Sequence, residues 1–105
     1  MFTRRLVMNL RPDSASELAR VTENEILPLL RRQKGFRNVV TSIDSARSRA
    51  VSYTCWETKE DAEAYHRTGH QVSLKSLINV VVGLPRVETF ELSDSTFHEL
   101  AAKAA

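Results

Sequence analysis

The chain has 105 residues, 42% of them hydrophobic and 27% charged, the balance of one globular domain with room for a single core. Fifteen Lys and Arg against thirteen Asp and Glu leave a formal charge of +2, without the concentrated basic face of a nucleic-acid binder. A lone cysteine, Cys55, rules out an intrachain disulfide, and no stretch reaches the ~18–20 apolar residues of a membrane span.

The first ten residues hold no apolar run of signal-peptide length, so a soluble, cytoplasmic protein is expected, with neither nucleic acid nor membrane among its partners. Residues 2–10 alternate with period 2. Phe2, Leu6, Met8 and Leu10 share one face, interrupted only by Arg4, and Thr3, Arg5, Val7 and Asn9 share the other. Pro12 and Asp13 end this strand. Ser14 and Glu17 have the spacing of a capping box. The helix that follows carries Ala15, Leu18, Thr22, Ile26, Leu29 and Leu30 on one stripe. Pro28 lies inside it and predicts a kink over 24–27, because proline removes a donor and crowds the preceding turn. Arg31, Arg32 and Lys34 form a basic last turn, which favours the helix dipole, and Gly35 is the expected left-handed terminator.

Residues 36–43 read as a second strand, with Val39, Thr41 and Ile43 on one face. A polar turn at 44–47 leads to a third strand over 50–56. There Val51, Tyr53 and Cys55 face one way, with Val51 and Cys55 assigned to the core, and Ala50, Ser52, Thr54 and Trp56 face the other. Thr58 opens a helix with Asp61 at the box position, and Gly69 breaks it. Leu74, Leu77, Ile78 and Val81 then predict a helix over 70–82, ended by Gly83 and Pro85. Residues 87–92 read as a fourth strand. In the tail, residues 93–105, Phe97, Leu100 and Ala101 have the spacing of a short helix.

Strand, helix, strand, strand, helix pair, strand is the split βαβ order. The expected fold is α+β and ferredoxin-like over residues 1–92, a four-stranded antiparallel sheet with its helices on one face. Val7, Val40 and Trp56 then lie on the bare face, a surface suited to a two-fold homodimer with Trp56 at its seam.

Three stretches carry a family resemblance. They are Leu29-Leu30-Arg31-Arg32-Gln33-Lys34-Gly35-Phe36, the run from Tyr53 through Trp56 and Thr58 to Tyr65, and Pro85-Arg86-Val87-Glu88-Thr89-Phe90-Glu91-Leu92. Together they resemble the antibiotic biosynthesis monooxygenase (ABM) domain family of dimeric α+β barrel proteins. The resemblance implies a homodimer and a pocket between helices and sheet. It also implies, in some members, oxidation of aromatic or quinol-like substrates by dioxygen without metal or flavin, so no cofactor is expected. The haem-degrading branch is disfavoured. Its Asn, Trp and His align with Met8, Tyr65 and Lys75, and Asn9 is one residue out of place, on the opposite face of the strand.

The candidate catalytic residues are His66 and His70, and the candidate pocket residues are Tyr53, Tyr65, Met8 and Leu10. Cofactor-free oxygenation needs a base to deprotonate the substrate, and an imidazole, ordinarily titrating near ~6.5, suits that step. A tyrosine hydroxyl can hold the substrate's oxygen. The i, i+4 spacing of His66 and His70 would also suit a metal on an unbroken helix, but Gly69 interrupts it and no carboxylate motif accompanies the pair, so no metal is expected. Two functions stay open: a monooxygenase acting on a small aromatic or quinol-like molecule, and a non-catalytic dimeric module that binds a small hydrophobic ligand.

Overall fold

The computed structural model describes residues 1–91. The expected tail helix, and the last residue of the expected domain and fourth strand, lie outside the described residues. The order is β1 (Phe2–Leu10), α1 (Ala15–Val21), a π-helical segment (Thr22–Ile26), α2 (Leu27–Arg31), β2 (Phe36–Asp44), β3 (Arg49–Trp56), α3 (Lys59–Thr68), α4 (His70–Ser76) and β4 (Val81–Glu91). The four strands form one sheet in the order β2-β3-β1-β4, every neighbouring pair antiparallel. This is the α+β ferredoxin-like fold.

The helices cover one face of the sheet. Met8, Leu10, Leu18, Val21, Ala50 and Leu77 form one buried cluster, and Leu30, Trp56, Ala62 and Tyr65 form a second. Trp56 is wholly buried. It stacks on Tyr65 at 5.1 Å, meets the edge of Phe36 at 5.7 Å, and donates its indole N–H to Thr54 Oγ1 at 3.0 Å. The expected face assignment of β3 is therefore reversed: Ala50, Thr54 and Trp56 point to the helices, and Val51, Tyr53 and Cys55 lie on the open face. Val7 and Val40 do lie on that open face, paired in register with Val51 and Tyr53. Alternation fixes the period of a strand but not its inward side, and both faces of β3 carry apolar groups.

The helix start at Ser14 forms without a capping box. Ser14 makes no side-chain cap bond, and Glu17 pairs forward with Arg20 (Nε–Oε2 3.0 Å). Near Pro28 the helix widens into the π-helical segment, whose end is marked by the Leu27 N–H reaching Thr22 O. Gly35 takes the left-handed conformation expected of it, at φ 80.

The expected helix over 70–82 is shorter than its apolar spacing implies. α4 ends at Ser76, Ile78 is 67% exposed, and Val81 is the first residue of β4. Val80, Val81 and Val82 are three consecutive β-branched residues, which favour extended backbone, and Val81 and Val82 pair with Leu10 and Asn9. Gly83 and Pro85 do not end a helix. They lie inside β4 at a bulge, where residues 83–85 stand opposite Met8 alone, and Gly83 takes a positive φ of 71.

Candidate active site

The site forms where β1 passes beneath the junction of α3 and α4. Thr58 Oγ1 accepts from the Asp61 N–H at 3.1 Å and starts α3. Gly69 separates α3 from α4, and it must be small: a Cβ there would stand 2.5 Å from the Tyr65 ring. The Tyr65 hydroxyl crosses the junction to share a hydrogen bond of 2.6 Å with Ser73 Oγ on α4. This clamp sets His66 and His70 side by side, their rings stacked at 4.7 Å.

Both rings meet Arg4. The Arg4 side chain, from the apolar face of β1, is in a residue only 7% exposed. Its Nη2 donates to His66 Nδ1 at 3.0 Å and to His70 Nδ1 at 3.3 Å, and its Cζ sits 5.0 Å from the centre of the Tyr65 ring. A guanidinium only donates, so both Nδ1 atoms act as acceptors and the neutral imidazoles carry their protons on Nε2. Among the described residues, Arg4 has no carboxylate partner.

The electrostatics follow from burial. Desolvation lowers the Arg4 pKa from its usual value, opposed by Tyr65. His70 is pushed down to about 4, first by burial and then by Arg4 and His66, so it is neutral at physiological pH. Burial raises the Tyr65 pKa, while Ser73 and Arg4 act in the opposite direction.

Two spaces adjoin Arg4. One, between helices and sheet, is bounded by Met8, Leu30, Tyr65, His70 and Ser73 and measures about 50 Å³. It has room for water but lies well below the ~300 Å³ where ligand pockets begin. The other is an open groove of about 400 Å³ between α3 and the β1–β4 side of the sheet, with Phe2, Arg4, Ala62, His66 and Val87 among its walls.

His66, His70 and Tyr65 are thus brought together, and Met8 lines the smaller space. Leu10 packs instead in the first core cluster, away from both spaces. Tyr53 does not rise from the floor of the helix–sheet pocket. It is 38% exposed on the opposite face, its hydroxyl accepting from Arg5 Nε at 3.3 Å, because the inward face of β3 is the one that carries Trp56. Sequence reasoning missed Arg4 as the hub, although a charge interrupting an apolar strand face was its visible signal. It also missed Ser73, whose pairing with Tyr65 depends on the turn at Gly69. Among the described residues no cluster of three or more His, Cys, Asp or Glu side chains is placed for a metal.

The antibiotic biosynthesis monooxygenase profile matches residues 1–74. No curated protein matches the chain. Among solved structures, a Bordetella bronchiseptica protein assigned to the antibiotic biosynthesis monooxygenases superposes with a TM-score of 0.73 at 16% identity, covering 88% of this chain and 96% of that one. ActVA-Orf6, a monooxygenase of Streptomyces coelicolor solved with nanaomycin D, gives 0.69 at 15% identity, covering 88% and 87%. A Nitrosomonas europaea protein of unknown function gives 0.69 at 15% identity, covering 87% of both chains. At these identities the structures show a common fold, and the profile match over most of the chain shows the family: the protein belongs to the antibiotic biosynthesis monooxygenase domain family.

Proposed function

We propose that the protein is a cofactor-independent monooxygenase acting on a small aromatic, quinol- or anthrone-like substrate in the groove beside Arg4. The observation that carries this reading is a buried guanidinium that donates to two stacked imidazoles at the wall of a ligand-sized space. The N–H groups on Arg4 Nε and Nη1 take the substrate's developing oxyanion, and as that contact draws Nη2 away from His66, the freed Nδ1 lone pair accepts the substrate proton. His66 is the base rather than His70, because His66 is exposed and lines the groove, whereas His70 is buried and held at about 4.

The deprotonated ring passes an electron to dioxygen, and the radical pair joins to form a carbon–oxygen bond. The hydroperoxide then loses its remaining C–H proton and its O–O bond breaks. One oxygen stays as the new carbonyl and the other leaves as water. For an anthrone, a CH₂ carbon and O₂ become C=O and H₂O, and carbon supplies all four electrons. On the same reading two copies associate through the open sheet face, where Val40, Tyr53 and Phe90 are exposed.

Oxygen uptake with a panel of anthrones and hydroquinones tests the activity. Turnover that falls at least tenfold in His66→Ala supports it; no turnover across the panel, or an unchanged rate in that variant, refutes it. The apolar walls of the larger groove, Phe2, Ala62 and Val87, favour a second reading, a non-catalytic module that binds a small hydrophobic ligand. Ligands that raise the melting temperature without being transformed would support that reading.

A further inference from the structure

The groove beside Arg4 is cationic as well as apolar. Lys59 and Arg67 border it with Arg4, and the one carboxylate among its walls, Glu63, is engaged by Lys59 at 3.9 Å. Phe2, Ala62 and Val87 supply apolar surface. Both hydrogens of Arg4 Nη2 go to the two histidines, which leaves the three N–H groups on Nε and Nη1 without a partner among the described residues. A guanidinium this buried without a counter-ion carries a desolvation cost that a bound anion offsets, and its flat fork matches two coplanar oxygens better than a point charge does.

We infer that the groove selects an aromatic oxyanion, an aryl carboxylate or an aryl oxide. Its charged oxygen sits on Arg4 Nε and Nη1, and its ring lies against Phe2, Ala62 and Val87. Arg67 adds attraction at the mouth. The inference rests on the oxygenase reading only for the claim that such an anion is a substrate; binding itself is independent of turnover. Neutral aromatics of the same shape lose the guanidinium contact and bind more weakly.

The test is an NMR titration of the intact protein, labelled at the arginine side chains, with benzoate, with 4-nitrophenolate at alkaline pH, and with neutral benzamide. Saturable shifts of the Arg4 Nε–H and His66 ring signals with either anion, absent with benzamide, are the expected result. Affinity for that anion falls roughly tenfold or more in Arg4→Gln, the loss of a charge-assisted pair, and only a few-fold in Arg67→Gln. If Arg4→Gln fails to fold, the wild-type comparison of anion with benzamide decides alone. Benzamide binding as tightly as benzoate, no response to either anion, or the same response to chloride would overturn the inference. Anion binding without oxygen uptake refutes the oxygenase and leaves this site standing; oxygen uptake with neutral quinols that benzoate does not inhibit does the reverse.

Discussion

Acidification should destabilise this fold through His70 before most carboxylates protonate. In the unfolded chain an imidazole takes its proton below about 6.5, whereas in the folded protein burial, Arg4 and His66 hold His70 down at about 4. Above pH 6.5 both states are neutral and the contribution to stability is fully present. Between those values the unfolded chain binds the extra proton, so stability falls as pH falls, and the loss is complete below about 4. At about 1.4 kcal/mol per pH unit the loss reaches about 3 kcal/mol, a large share of a small domain's stability. The groups that face the ring, Arg4 from β1 and His66 from α3, both oppose a charge on it. Urea unfolding of the wild type and His70→Gln at pH 7.5, 5.5 and 4 separates this effect from the carboxylates. The wild type should lose more on acidification, by about that amount at pH 4. Parallel curves for the two proteins, or an NMR titration that gives His70 a midpoint of 6 or above, would refute the reasoning.

Gly69→Ala forces a methyl group against the Tyr65 ring, and an overpacking loss of about 1–3 kcal/mol is expected in urea melts; an unchanged midpoint would contradict the close approach. Trp56→Ala empties the centre of the second core cluster and should cost about 3–5 kcal/mol, with Trp56→Phe retaining part of that; a neutral result would return Trp56 to the surface. Association through the open face predicts a sedimenting mass of about twice 11.9 kDa that Val40→Lys reduces, and an 11.9 kDa species at micromolar concentration would exclude it.

What the sequence disclosed was periodicity and punctuation. The alternation of β1, the cap at Thr58 and the stop at Gly69 all depend on neighbours within a few residues, and each is where local chemistry places it. The failures needed partners far along the chain. Nothing local distinguishes Val51-Tyr53-Cys55 from Ala50-Thr54-Trp56 as the inward set; Tyr65 and Phe36, packed on Trp56, decide it. The spacing of Leu74, Leu77, Ile78 and Val81 is helical, but pairing with β1 draws Val81 into the sheet. The candidate site divides in the same way. His66 and His70 were legible as a pair one turn apart, whereas the guanidinium that donates to both comes from a residue more than 60 positions away.

The bulge in β4 bears on whether other chains can add to the sheet at that border. β4 borders the sheet on one side, and an unbroken border strand is a template on which other chains can extend the ladder. Here the first half of that border is spoiled: Gly83 turns the backbone out of the extended conformation, and Pro85 has no N–H to donate. Replacing Gly83 and Pro85 with Val and Thr would straighten the border. Such a variant should keep its core yet deposit thioflavin-positive aggregates faster than the parent.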